Sequence, residues 1–430
     1  MLGFYYFTGI NFPRNIDKAI YYYSIGANHG DISSQTMLGG IFMNDKNRQD
    51  INKAIYYYTM AANLMDINSQ AILGDIYSTA EYSKLDYEKA IHYYTLAAKH
   101  NHKMAQYNLG IIYDNKYLSY HNINKAIHYF SLAVDQGVSD AAYNLGFIYS
   151  SGDYITRDIL KAIHYLSIAA QNNHSEAQYD LGNIYYKGIL TAQNINKAIY
   201  YFSLAANNGN VNALFTLGLI YFKGKHVSRD INKTIYFYSR AAKQNHIYAQ
   251  YSLGFIYYTN IYFTRDIYKA IHYFSLAADQ KDAESQYWLG IIYIDEHIFH
   301  NINKSIYYFE LAASQNHRKA QFCLGKLYSL ERDQFYDINK AVHYYTLAAN
   351  QNEFNAQFEL GLIHENMEDI KNAIHYYTLA SNQKHADAQF RLGMLYLNVG
   401  NAEYHPKKAI YFITQSSINR NIDAHFVLGC

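Results

Sequence analysis

The sequence predicts an all-α fold: a right-handed α-α superhelix of about twelve helix-turn-helix repeats, each of about 36 residues. Three observations predict it. Thirteen Leu-Gly pairs run from Leu2-Gly3 to Leu428-Gly429, spaced 36 residues apart except for two intervals of 35 and one of 32. A second marker, Lys-Ala-Ile or a close variant, opens at 18, 53, 89, 125, 161, 197, 233, 269, 304, 340, 372 and 408, always 20 residues before the next Leu of a Leu-Gly pair. Both markers sit inside stripes of apolar residues with helical periodicity.

The constant 20-residue stretch predicts a packed unit of fixed geometry. All the length variation lies between Leu-Gly and the next marker, which predicts a surface loop there. In the copy at 103–137, Ala105, Leu109, Ile112 and Tyr113 form one helical stripe, from about Lys103 to Asn115. After a polar loop, Ile123, Ala126, Ile127, Phe130, Ala133 and Val134 form a second. Asn122 stands where an N-cap belongs, able to accept a free backbone N–H of the first turn. The equivalent positions are Asn15, Asp50, Asp86, Asp158, Asn194, Asp230, Asp266, Asn301, Asp337 and Asp369, then His405 followed by Pro406. The second helix is expected to end at Gly30, Asn101, Gly137, Asn173, Gly209, Asn245, Asn316 or Asn352, residue types that suit a left-handed C-cap. The Leu-Gly glycine falls mid-helix, where it costs roughly 1 kcal/mol against Ala. A close approach by a neighbouring helix explains it, with the Ala-Ala pairs such as Ala97-Ala98 and Ala205-Ala206 as the expected counterpart. The repeat units run approximately 1–32, 33–67, 68–103, 104–139, 140–175, 176–211, 212–247, 248–283, 284–318, 319–354, 355–386 and 387–422, with a partial copy at 423–430, as one continuous array over 1–430.

Composition excludes several function classes. Half the residues are apolar, 17% are charged and the formal net charge is +1, with both signs interspersed. A nucleic-acid surface needs clustered Lys and Arg, so nucleic acid is not expected as a partner. Cys323 and Cys430 are the only cysteines, too few for a disulfide framework or a cysteine zinc site. No apolar run approaches the roughly 18 residues of a membrane span. Repeat sequence starts at Met1 with no signal-peptide pattern, and a cytoplasmic location is expected. The chain begins and ends inside Leu-Gly helices without polar capping units, which solenoids normally need; this predicts a piece of a longer protein.

Ala177-Gln-Tyr-Asp-Leu-Gly-Asn-Ile-Tyr-Tyr-Lys-Gly188, followed by Asn194-Ile-Asn-Lys-Ala-Ile-Tyr-Tyr-Phe-Ser-Leu-Ala-Ala206, resembles the Sel-1-like repeat, a relative of the tetratricopeptide repeat. The resemblance covers essentially the whole chain. It departs from the family pattern in two ways. The family Trp is Tyr or Phe here (Tyr93, Tyr129, Tyr165, Tyr201, Phe237), and the loop Gly survives only as Gly9, Gly152, Gly188 and Gly224. The resemblance implies adaptor work: gathering partner proteins for signalling, for endoplasmic-reticulum quality control or for cell-wall synthesis regulation.

No catalytic motif stands against that reading. His92, His128, His164, His272, His343 and His375 recur at one position, and His102, His174, His246, His317 and His385 at another. Copies of one position lie roughly 10 Å apart at ordinary helix spacing, too far to converge on one ion. Structural roles are expected, with no catalytic residue, metal or cofactor. The aromatic pattern is more informative. Tyr107, Tyr143, Tyr179, Phe215, Tyr251, Tyr287, Phe322, Phe358, Phe390 and Phe426 stand two residues before the Leu of Leu-Gly, where core packing accounts for most. Five residues after that Leu, the middle copies present Tyr186, Phe222, Tyr258 and Ile294, whereas Ser78, Asp114, Ser150, Ser329 and Glu365 flank them. By analogy with related solenoids, the first helix of each repeat lines the concave surface. Residues 179–294 are therefore expected to form an aromatic binding groove, since aromatic residues dominate interface hot spots. The candidate partner-binding residues are Tyr179, Tyr186, Phe215, Phe222, Tyr251, Tyr258, Tyr287 and Ile294.

The expected function is a protein–protein interaction scaffold that binds partner proteins or peptides, with no small-molecule substrate and no membrane insertion. Two other readings are a regulatory repeat region of a signalling enzyme such as a kinase, whose catalytic domain lies outside this chain, and a lumenal quality-control adaptor. The second would need its sequons, Asn173, Asn232 and Asn303, to be occupied.

Overall fold

The computed structural model describes residues 1–80, 85–188, 191–259, 265–296, 299–330, 335–398 and 403–429. Among them are 25 helices and no strand. The helices alternate as the sequence predicts: an A helix carrying Leu-Gly, a loop, then a B helix carrying Lys-Ala-Ile. In the copy used above they are Lys103–Asp114 and Ile123–Asp135. The chain divides into two compact units, Met1–Leu217 and Gly218–Cys430.

Polar caps set the helix starts. In all twelve B helices the predicted N-cap side chain accepts the backbone N–H three residues on, at 2.9–3.5 Å. The donor is the first residue of the marker, Lys125 opposite Asn122 for example. This cap is worth about 1 kcal/mol per helix. At the other end the chain turns through positive φ at each predicted Gly and Asn, such as Gly137 (80°) and Asn245 (60°). Met65, Lys281, Lys384 and Arg420 take the same conformation (φ 66°, 67°, 64° and 71°) although local preference opposes it. The packing of each B helix against the next A helix overrides that preference, which amounts to roughly 1–2 kcal/mol per residue.

What the Leu-Gly glycine accommodates is a side chain of the following B helix. A Cβ on Gly110 would lie 2.5 Å from Cδ1 of Phe130, and one on Gly254 would lie 2.6 Å from Cδ1 of Phe274. Tyr23, Tyr58, Tyr94, Phe202, Tyr238, Phe309, Tyr345 and Tyr377 occupy the same place over their glycines, with Leu166 and Ile413 as aliphatic substitutes. The sequence suggested the Ala-Ala pair as the glycine's counterpart; the structure assigns that role to the ring. The Ala pair instead lines the junction with the next repeat. Ala97 and Ala98 are buried, and their carbonyls accept the N–H groups of His100, Asn101 and His102 as the chain turns.

That junction is held by a buried amide. Gln106 Nε2 donates to the Ala98 carbonyl of the preceding repeat at 3.3 Å, and Gln106 Oε1 accepts from Gln136 at the end of its own repeat's B helix. The same pair of bonds recurs at Gln178, Gln250, Gln286, Gln321, Gln357 and Gln389, with Gln or Asn as the second donor. Gln35 and Gln70 make only the first bond: each Oε1 is buried without a partner, and Leu64 and His100 stand where the repeats that make both bonds place Gln or Asn.

Two outcomes are expected from urea unfolding. Gly254→Ala should destabilise by about 1–3 kcal/mol through overpacking against Phe274, despite the gain in helix propensity. Leu64→Gln should stabilise by about 1 kcal/mol, because it supplies the missing donor to Gln35.

Candidate partner-binding surface

The marker Lys does more than donate its N–H. Lys89 Nζ lies 5.0 Å from the Tyr77 ring centroid, and Tyr77 stacks on Tyr93 at 5.9 Å with the planes 5° apart. Tyr93 is the residue at the family-Trp position. Equivalent ammonium–ring contacts at 4.8–5.1 Å join Lys125 to Tyr113, Lys161 to Tyr149, Lys197 to Tyr185, Lys233 to Tyr221, Lys269 to Tyr257, Lys304 to Tyr293 and Lys340 to Tyr328. Each such contact contributes about 0.5–1 kcal/mol at an exposed site. The copy with the shortened loop departs from this: Asn372 replaces the Lys, and His364, paired with Asp369 at 3.2 Å, replaces the ring beneath it. These towers rigidify the loop edge, leaving the A helices to present the other surface.

On each A helix, positions −1, +2 and +5 relative to the Leu of Leu-Gly share one open face, because steps of three stay on one side of a helix. Ile111 and Phe147, both at +2, are exposed by 41% and 54%. In the first unit these positions line two clefts: Asp75, Ser78, Asn108 and Ile111 line one of about 300 Å³, and Phe147, Ser150, Asp180 and Asn183 line one of about 350 Å³.

The eight predicted partner-binding residues divide between the units and between two helix positions. Position −2 lies one turn before +2 and two turns before +5 on the same side of the helix, and its residues are half-buried. In the first unit Tyr179 packs on the core ring of Phe202 at 5.6 Å, and Phe215 is half-buried. In the second, Tyr251 packs on Phe274 at 6.0 Å and Tyr287 on Phe309 at 5.9 Å. Burial pushes the Tyr251 phenol up and the Tyr287 phenol to about 12, so both stay neutral. Position +5 lies at the edge of the open face. Tyr186 meets Phe202 edge-on at 6.3 Å in the first unit, while Phe222, Tyr258 and Ile294 are half-buried in the second.

Part of the polar–aromatic contrast at +5 comes from the core. Where the ring over the glycine is Tyr94, Tyr345 or Tyr377, its hydroxyl bonds to Ser78, Ser329 or Glu365 at that position. Residues −1 and +2 escaped the sequence reading. In the second unit they include Phe255 and Trp288, which meet at 5.7 Å, and Trp288 also packs 5.2 Å from Tyr258. Arg265 lies 4.4 Å over Tyr258 and pairs with Glu296. Stepping back by threes from Tyr258 and Ile294 would have found these positions.

The second histidine set has a structural role that the sequence did not specify. His102, His174, His246, His317 and His385 are the N-caps of A helices, and each Nδ1 accepts an alanine N–H at 3.1–3.2 Å. Asp31, Asp66 and Asp282 do the same in other repeats. His92 and its counterparts instead lie edge-on to the following Tyr, with centroids 5.1 Å apart at His92. Among the described residues, no group of three or more His, Cys, Asp or Glu side chains could hold a metal ion. Burial raises the Cys323 thiol to about 12, which leaves it unreactive. Two sequon hydroxyls lie inside helix pairs: Thr234 donates to the Gly218 and Asp230 carbonyls, and Ser305 to that of Gly290.

The Sel1 repeat pattern matches residues 1–31, 32–64, 67–102, 103–138, 139–174, 175–210, 211–246, 247–282, 283–317, 318–353, 355–385 and 386–415. The chain belongs to the Sel1 repeat family. Among solved structures, c5321, a protective antigen of uropathogenic Escherichia coli displaying an SLR fold, is similar at 25% identity and a TM-score of 0.67, over 94% of this chain and 90% of that one. A Sel1 repeat protein from Oxalobacter formigenes is similar at 27% identity and a TM-score of 0.59, over 72% of this chain and 90% of that one. No curated protein matches the chain. This Sel1 repeat chain is therefore an all-α repeat solenoid by family and by fold, and no described helix is long and apolar enough to cross a membrane.

The histidine caps make its stability depend on pH. Burial lowers the pKa of His246 and His385 in the folded chain. The unfolded chain then binds more protons between the folded value and about 6.5, so stability is present above that window and is lost as pH falls through it. Urea midpoints should fall between about pH 7.5 and pH 5, and the double variant His246→Asp, His385→Asp should lose a measurable part of that fall.

Proposed function

We propose that this Sel1 repeat chain is a protein-interaction scaffold that binds partner proteins or peptides on the open faces of its A helices, without catalysis of its own. Sel1 repeat solenoids are generally interaction scaffolds, which supports the class. The observation that carries the reading here is the apolar run on the open face of the second unit: Phe222, Phe255, Tyr258, Trp288, Ile291 and Ile294, beside the Arg265–Glu296 ion pair. Aromatic anchors beside a polar rim are the composition of interface hot spots. In the first unit Tyr186 is the corresponding candidate. Tyr179, Phe215, Tyr251 and Tyr287 are half-buried on the same side of their helices, beside that face.

The test is affinity capture on immobilised chain followed by mass spectrometry and titration of the recovered partner. Phe222→Ala and Tyr258→Ala should each weaken binding by roughly tenfold or more, with helicity and unfolding midpoint close to wild type. Equal loss of helicity and binding would return these side chains to the core and overturn the assignment.

A further inference from the structure

The first unit carries a different surface. Asp75, at position +2 of its A helix, stands in the wall of a cleft of about 300 Å³. Its Oδ1 accepts the Tyr94 hydroxyl at 2.7 Å and the Asn108 amide at 3.1 Å, and Asn108 also donates to the Tyr94 oxygen. Tyr94 is only 2% exposed, so the carboxylate is held by a rigid, neutral support. Among the described residues Oδ2 receives no hydrogen bond, and Asp75 forms no ion pair. The rest of the cleft wall is mixed: Ile111, Ile112, Leu118 and the Tyr87 ring form its apolar part, beside Ser78, Thr79 and Asn115. A fixed carboxylate beside aliphatic walls complements a lysine or arginine side chain, whose stem is apolar and whose head is cationic.

On the open A-helix faces of the second unit Glu365 pairs with Arg391 at 3.6 Å, and burial raises the pKa of the half-buried Glu359 carboxyl, an effect that the Lys326 charge opposes. In the first unit Asp114 and Asp180 line the next clefts, and among the described residues neither forms an ion pair. Lys326 occupies the same +2 position as Asp75 and Ile111. Among the described residues Asp75 has neutral partners only, so a cationic group brought by a ligand would be its charged partner there.

The cleft is also one of a series. Asn115 is shared with a second cleft of about 350 Å³, and Phe147 joins that one to the third, also about 350 Å³. Adjacent helices pack about 8–10 Å apart, and three residues of extended polyproline-type chain rise about 9 Å. Every third side chain of an extended peptide would therefore meet successive clefts.

We propose that the first unit binds an extended peptide along these clefts, and that the Asp75 cleft takes a lysine or arginine side chain of that peptide. This rests on the reading that open A-helix faces bind partners, and it names the chemistry of one. The test exposes the full chain to a degenerate library of acetylated, amidated nonapeptides and sequences those retained. Wild type should enrich lysine or arginine at one position, and Asp75→Asn should reduce that enrichment about tenfold while keeping wild-type helicity. Ile111→Lys is the second variant. It places a cation inside the cleft, uses the residue type that Lys326 supplies at the equivalent position, and should abolish the same enrichment.

Retained peptides with no basic position, or a basic preference untouched by both variants, would overturn the Asp75 assignment and leave the scaffold reading standing. No retained peptide at all, with Tyr258→Ala also silent in partner binding, would sink both. Spermidine serves as the free-cation probe: Asp75-dependent binding of spermidine without any retained peptide would assign the carboxylate to a polyamine and overturn the peptide.

Discussion

Each repeat depends on one contact, a B-helix side chain, aromatic in ten of the twelve copies, seated directly on the backbone of an A-helix glycine. A Cβ at that glycine would fall inside the ring's van der Waals radius in repeat after repeat, at 2.4–2.9 Å from the nearest ring carbon in the aromatic copies. The contact fixes the separation and rotation of the helix pair together. The A helix thereby turns its Leu inward and places positions −2, −1, +2 and +5 on the opposite side. The constant 20-residue stretch from Lys-Ala-Ile to the next Leu-Gly, which spans one B helix and the junction after it, preserves the adjoining geometry. The loop before the marker varies in length because it lies outside both contacts.

Layered on that contact are two devices that use the same residues twice. The marker Lys caps its own helix through its N–H and holds the neighbouring Tyr through its ammonium group. The buried Gln bonds to the preceding repeat through its amide nitrogen and to the end of its own B helix through its oxygen. In both cases a short sequence signal carries two interactions, so the signal survives while the residues around it drift. The A-helix open face has no such double duty, and its composition differs from one repeat to the next. Asp75 with its neutral support and the Phe255–Trp288–Tyr258 group are two outcomes of that freedom.

Much of this was legible in the residues. The period, the two helices, every B-helix N-cap and the glycine turns follow from local rules that act within a few residues. The candidate site was legible only in part. Tyr186, Phe222, Tyr258 and Ile294 stand out in the sequence because they break a pattern at one position. Tyr251 and Tyr287 do not, since an aromatic recurs at their position in most repeats, and the structure packs both on core rings. Phe255 and Trp288 do not stand out either, because no single column of the repeat marks them.

The sequence by itself determined the fold class, the helix boundaries and the family, because caps, periodicity and a repeated marker are local and were repeated twelve times. Only the tertiary structure decided what the glycine accommodates, that five histidines are helix caps, and which A-helix positions are open. Those depend on the rotation of one helix against its neighbour. That rotation is set by side-chain volumes meeting across the pair, and no property of either helix alone contains it.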